Sequence, residues 1–228
     1  MNIVVIIPAF NEENAVGKVV AEIPKHLVDE VIVVNNNSTD QTSKAAKEEG
    51  ATVLLEATKG YGIACLKGIN YLIKERKKPT DIVVFLDADY SDYPEQMIEM
   101  VKPIQEDKAD MVIGSRALGR KEGGSMTIPQ VFGNWLATSL MKWFYGAKFT
   151  DLGPFRAIRY SSLLALDMQD KTFGWTVEMQ VKALKQKLRC EEMPVDYRNR
   201  IGFSKISGTV KGTIMAGYKI ITAIFKYL

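Results

Sequence analysis

Several residue classes are scarce in this sequence, and each shortage narrows what the chain can be. Its 228 residues include two cysteines, Cys65 and Cys190, each in an apolar periodic stretch, which read as reduced thiols rather than a disulfide. The one histidine, His26, stands near a predicted helix end and reads as a surface or capping residue rather than a catalytic one. No run of about 20 apolar residues occurs, because the most apolar stretch, 214–228, is broken by Lys219 and Lys226, so no segment is expected to span a bilayer. The apolar run at 3–7 is too short for a signal peptide and has no basic region before it, which points to a cytoplasmic protein. An excess of positive charge is missing too. With 30 basic and 27 acidic residues, a net charge of +3 does not suit a dedicated nucleic-acid binder.

What is present is a hydrophobic content of 46%, enough for 228 residues to bury roughly 70% of their unfolded surface in one core. A single domain over 1–228 is expected. Short β-branched runs at 3–7, 30–34, 52–55, 82–86 and 111–113 alternate with helical periodicity at 13–23, 41–49, 61–75 and 94–105. Asp40 and Tyr93-Pro94 supply helix starts. This alternation predicts an α/β fold, a mostly parallel sheet with helices on both faces. After Gly114 the pattern changes to a polar loop at 116–125 and an aromatic helix around Trp135, Met141, Trp143 and Phe144, a stripe that would suit a membrane interface but more often means core. A strand at 155–158, a helix at 176–186, a strand at 190–197 and a final apolar helix follow. The chain thus divides into 1–115, 116–207 and 208–228.

Ligands of an open parallel sheet gather beyond the carboxyl ends of its strands. Strand one leads to Pro8-Ala9-Phe10-Asn11-Glu12-Glu13, strand two to Asn35-Asn36-Asn37-Ser38-Thr39-Asp40, strand three to Lys59-Gly60-Tyr61-Gly62, and strand four to Asp87-Ala88-Asp89. Neither a glycine-rich turn after strand one nor a Walker A loop is among them, which disfavours dinucleotide oxidoreductases and P-loop NTPases. A sugar nucleotidyltransferase would place a glycine-rich basic loop where Pro8 to Glu13 stand. Two carboxylates at a strand end, separated by one small residue, are hard oxygen ligands suited to magnesium or manganese shared with a diphosphate. An isolated Asp-X-Asp is more often a cap or a turn, but here three other polar strand ends converge on the same edge.

Taken in order, these four segments, with Gly114-Ser115-Arg116, Asp151-Leu152-Gly153-Pro154-Phe155-Arg156 and Arg200-Ile201-Gly202-Phe203-Ser204-Lys205, resemble the family 2 glycosyltransferases. The last segment resembles the polyprenyl-phosphate sugar synthases, the group of the dolichyl-phosphate mannose synthases. The resemblance covers nearly the whole chain and implies the mixed, mostly parallel sheet of the GT-A fold. It implies that Pro8, Phe10 and Glu12 line the base and ribose, with Asn35 and Lys59 also on the donor. Asp87, Ala88 and Asp89 would engage ribose, diphosphate and a magnesium or manganese ion, with Asp87 and Asp89 as the metal ligands. Ser91 departs from the pattern, standing where such synthases often have a metal-binding amide. Arg116, Arg156, Arg200, Ser204 and Lys205 would meet phosphates of donor or acceptor, for which guanidinium forks are suited, and Arg198 competes with Arg200 for one such place.

The implied reaction transfers a hexose from a UDP- or GDP-sugar with inversion. Asn35-Asn36, in place of an aspartate, offers the donor and acceptor that uracil requires, or else merely tolerates a tight turn. A hydroxyl acceptor, soluble or glycan, would need a general base, and Glu178 at the start of a helix is the candidate, although a first-turn acid also favours the helix dipole. A polyprenyl phosphate acceptor is already anionic and needs none. The helix after 210 carries lysines on one narrow face and apolar residues elsewhere, which fits peripheral contact with a membrane, or packing on the core or a dimer partner. A non-catalytic nucleotide-sugar sensor would leave Asp87 and Asp89 unexplained.

Overall fold

The apolar runs pair into one sheet of seven strands: β1 (Ile3–Ala9), β2 (Glu30–Asn35), β3 (Thr52–Leu55), β4 (Ile82–Phe85), β5 (Met111–Ser115), β6 (Arg156–Arg159) and β7 (Cys190–Pro194). The computed structural model describes residues 1–202 and 210–227, the side chains of 210–216 excepted. The strand order is β3-β2-β1-β4-β6-β5-β7, with β6 antiparallel to both neighbours and every other pair parallel. Strands β1, β4 and β5 are buried along their whole length, because helices cover both faces, which is why they read as continuous apolar runs. The register pairs Ala9 with Asn35 and Ile6 with Phe85, so the carboxyl ends of β1, β2 and β4 meet at one edge.

One face is covered by α1 (Val16–Glu22), α2 (Thr42–Glu48) and α4 (Met97–Gln105), through Val16, Val19, Ala46, Met97, Met100 and Val101. The other is covered by α3 (Tyr61–Lys74), α5 (Ile128–Tyr145), α7 (Trp175–Lys185) and α8 (Val210–Lys226). A short helix, α6 (Tyr160–Ala165), follows β6 and is invisible as a pattern, since six residues hold less than two helical turns. Helix α1 starts three residues later than expected. Asn11 adopts a left-handed φ of 54°, and the Glu12 carbonyl accepts from the Ala15 and Val16 amides, which turns the chain before the helix begins. Helix α5 is bounded by a capping box between Thr127 and Gln130 and by Gly146 at φ 66°.

The described part of α8 lies against α5 and α7, with Ala223 and Ile224 buried and the Tyr145 hydroxyl donating to the Ile224 carbonyl. These two residues of its apolar surface are therefore core, while Tyr218 and Phe225 are exposed. No helix among the described residues is long and apolar enough to cross a membrane.

Candidate active site

A cleft of about 280 Å³ opens where β1, β2 and β4 end, lined by Pro8, Phe10, Glu12, Lys59, Asp87, Ala88, Asp89 and Arg200. Asn36, Gly60, Tyr61 and Phe173 complete its wall. A larger concavity of about 660 Å³ lies at the opposite edge around the Arg76–Glu30 ion pair, and none of the motif residues line it. Chemistry therefore selects the smaller cleft.

Its floor is built by cross-lacing polar loops. The Asn11 side chain accepts from the Thr39 amide, the Asn11 amide donates to Ser38 Oγ, and the Glu12 amide donates to Thr42 Oγ1. Asn36 hangs the next turn beside the cleft: its Oδ1 accepts from the Gly60 amide at 2.7 Å, and its Nδ2 donates to the Thr58 carbonyl at 2.6 Å. Lys59 is thereby held with its Nζ 4.6 Å from the centroid of the Phe10 ring. Gly60 and Gly62 are required by close approach, since a Cβ would lie 2.3 Å from the Lys171 carbonyl oxygen and 2.0 Å from that of Asp170 respectively. That contact is what brings Phe173 to the cleft.

The acidic strand end carries the electrostatics. Asp89 Oδ1 accepts from the Ser91 amide and hydroxyl, and Oδ2 pairs with Arg200 Nη1 at 3.1 Å. Arg200 reaches Glu12 Oε1 with its other nitrogen at 3.0 Å. Asp87 Oδ1 is sealed from solvent without a hydrogen-bond partner, as are both carboxylate oxygens of Asp92. Burial, and then the charge of Asp89, push the Asp87 carboxyl well above the usual carboxylate range. Burial followed by Asp87 and Asp89 does the same to Asp92. Unpartnered carboxylate oxygens facing like charge are a donor set that a divalent cation would satisfy. No three acidic, histidine or cysteine side chains among the described residues already converge as metal ligands, so the remaining ligands would come from a bound diphosphate or water.

The family model for glycosyl transferase family 2 matches residues 4–166. The chain belongs to this family. An uncharacterized glycosyltransferase of Mycobacterium tuberculosis is 32% identical over 226 residues, 94% of each chain. An undecaprenyl-phosphate mannosyltransferase of Micrococcus luteus is 30% identical, over 93% of this chain and 90% of that one. Among solved structures, glucosyl-3-phosphoglycerate synthase of Mycobacterium tuberculosis, bound to manganese, UDP and phosphoglyceric acid, superposes with a TM-score of 0.78. At 20% identity over 99% of this chain and 78% of that one, the likeness establishes a shared GT-A fold.

Not every expected residue of this transferase reaches the cleft. Asn35 spends its amide on the turn after β2, accepting from the Ser38 amide and donating to Ser43 Oγ. With Asn36 also engaged, the asparagine argument for a uridine donor loses its basis. Arg116 grips Asp151 with two nitrogens at 2.7 and 2.8 Å over the Tyr197 ring, so it stands beside Asp87 and Asp92 as a fixed positive charge rather than a free phosphate clamp. Arg156 is wholly buried and donates to the carbonyls of Leu152, Gly153 and Thr176, and burial pushes its pKa down to about 10. It braces the loop under the site and cannot touch a phosphate there. Arg198 is sandwiched against Tyr90 and Tyr93 and paired with Glu22, which leaves Arg200 as the arginine of the cleft.

Glu178 is fully buried and accepts from the amides of Gln169 and Asp170, from the Tyr227 hydroxyl and from Lys182. Burial works to raise its pKa, but these bonds hold the carboxyl below its ordinary value. Both of its carboxylate oxygens are engaged, and it does not line the cleft. Ser204 and Lys205 lie outside the described residues. Sequence reasoning missed Asp92 and Phe173, and it quoted Asp151 as part of a motif without giving it a role. Asp92 had a signal, a third acid five residues after Asp87, whereas Phe173 enters only through tertiary contact.

Proposed function

We propose that the protein transfers a hexose, with inversion, from a nucleotide-sugar to a polyprenyl phosphate. The reading rests chiefly on one observation: Asp87 and Asp89 stand at the strand-end cleft with an unpartnered carboxylate oxygen and Arg200 between Asp89 and Glu12. Asp87 and Asp89 would hold a magnesium or manganese ion, which when bound neutralises the departing nucleoside diphosphate. Pro8, Phe10 and Lys59 would flank the base and ribose, and Arg200 would exchange a carboxylate for a phosphate as donor enters. Ser91 fixes the rotamer of Asp89 and so pre-sets its free lone pairs.

The described lining of the cleft supports an anionic acceptor. With Glu178 bonded on all sides, no described carboxylate outside the metal-binding group lines the cleft as a base except Glu12, which is paired with Arg200. An anionic phosphate oxygen can attack the anomeric carbon without deprotonation. The mannosyltransferase of Micrococcus luteus and a dolichyl-phosphate N-acetylglucosaminyltransferase of Methanococcus voltae, 29% identical over 96% of this chain, are named for acceptors of that chemistry. The second reading, transfer to a soluble hydroxyl acceptor, draws on the fold shared with the phosphoglycerate enzyme.

The test supplies the protein with manganese, labelled UDP- or GDP-hexose, and either polyprenyl phosphate in detergent or 3-phosphoglycerate. Label in the organic phase is the expected result. Label confined to a water-soluble glycoside would replace the lipid reading with the soluble one, and no turnover of any donor would remove both.

A further inference from the structure

Helix α5 is amphipathic in the wrong sense for a surface helix. Positions 128, 131, 132, 135, 139, 142 and 143 fall within one third of its circumference. That outward third carries Ile128, Val131, Phe132, Trp135 and Trp143, with relative exposures of 86, 49, 59, 60 and 80%. The opposite side buries Ala137 and Met141. At the helix's end the aromatic surface continues: Trp143 stacks on Phe144 at 5.5 Å, and Phe144 meets Phe225 of α8 edge-on at 5.2 Å. A contiguous apolar stripe of this kind marks a contact surface.

Charge indicates the occupant. The described segments 128–149 and 217–227 contain four lysines, Lys142, Lys148, Lys219 and Lys226, and no acidic residue. Lys142, Lys148 and Lys226 are exposed around the aromatic stripe. A second copy of the chain docked through the same face would bring like charges together. An anionic bilayer answers both features, since tryptophan settles at the headgroup level and lysines are drawn to anionic lipid.

The stripe also has a direct structural link to the site. Asn134, on the inner side of α5, donates to the Thr150 carbonyl and accepts from the Leu152 amide, and Asp151 between them holds Arg116 beside the acidic strand end. One helix diameter, about 10 Å, therefore separates the exposed tryptophans from the loop that braces the site.

We infer that the outer face of α5, continued by Phe144 and Phe225, docks the protein on an anionic bilayer surface, with Trp135 and Trp143 as its anchors. The inference rests on the lipid-acceptor reading for its purpose. It differs from a membrane role for α8 alone, whose Ala223 and Ile224 are spent on the core.

The full chain is sedimented with vesicles of phosphatidylcholine containing phosphatidylglycerol and with vesicles of phosphatidylcholine alone. Binding is expected to the anionic vesicles, weakening with salt, and a double variant, Trp135→Ser with Trp143→Ser, should lower the partition coefficient about tenfold or more. Both indoles are exposed and outside the donor cleft, so manganese-dependent stabilisation by nucleotide should be unchanged in the variant. A blue shift of wild-type tryptophan emission on anionic vesicles supports the same conclusion without any substitution. Failure of the wild type to bind, equal binding by the double variant, or a wild-type dimer that the double variant converts to monomer would overturn it. Lipid glycosylation in detergent without vesicle binding would sink this inference alone, and vesicle binding without lipid glycosylation would sink only the acceptor reading.

Discussion

Arg200 joins two carboxylates, Glu12 and Asp89, that arrive from different strand ends, and its guanidinium offsets part of the negative charge of the cleft. A bound diphosphate would compete for it. Charge-assisted hydrogen bonds contribute about 1.5–3 kcal/mol each, so Arg200→Ala should raise the donor KM roughly ten- to a hundredfold, while Arg200→Lys, which keeps the charge but not the fork, should fall between. Steady-state kinetics with varied donor checks this, and an unchanged KM in both variants would remove Arg200 from donor binding. The cleft residues were legible because each lies in the segment that follows an apolar run: Pro8, Phe10, Lys59, Asp87 and Asp89 all line it. Arginines were less so. Arg156 and Arg200 look alike in sequence, yet one is sealed under the 151–154 loop and the other stands in the cleft, a difference made by strand pairing rather than by neighbours in the chain.

At the scale of elements, Glu178 is a latch. It joins the start of α7 to Gln169 and Asp170, and to Tyr227 at the end of α8, while the Lys171 and Thr172 carbonyls accept from the first turn of α3 and Phe173 lines the cleft. Glu178→Gln should therefore cost about 2 kcal/mol, or some 4–8 °C in Tm, and weaken nucleotide binding while leaving the pH–rate profile in place. A general base would instead lose about 10²–10⁴ in kcat with its acid limb abolished, so the profile separates the roles. A second joint ties β5 to β6 and β7. Hydrogen bonding from Arg189 holds the Asp110 carboxyl down at about 2, against desolvation, with Arg159 assisting. Because the folded pKa lies below the unfolded one, this stabilisation is complete above about 4 and is lost as pH falls toward 2. Asp110→Asn should cost about 1 kcal/mol at neutral pH, with the difference from wild type shrinking over that acidic window, as urea melts at stepped pH would read. The alternation of strand and helix was plain through β5. Helix α6 is too short to show periodicity, and the aromatic stripe of α5, expected as core, is largely exposed, because helical spacing does not say which face turns inward.

For the whole molecule, the first half supplies most of the lining of the strand-end cleft, and Phe173 and Arg200 come from the second. Residues 4–166 carry the family match, and Phe173 and Arg200, beyond it, complete the wall. The α/β class and the single sheet were readable from composition and periodicity, whereas the antiparallel insertion of β6 between β4 and β5 was implied only by resemblance to the GT-A fold. On the proposed function, Asp87 and Asp89 receive a nucleoside diphosphate through a divalent cation. Thermal unfolding of wild type and of Asp89→Ala, each with UDP, GDP, CDP, ADP or dTDP and with or without manganese, tests it most directly, because a ligand that binds the native state raises Tm. The account expects one nucleotide to raise the wild-type Tm only when manganese is present, and no such shift in a folded Asp89→Ala. A shift that needs no metal, or one that survives the loss of Asp89, would contradict it.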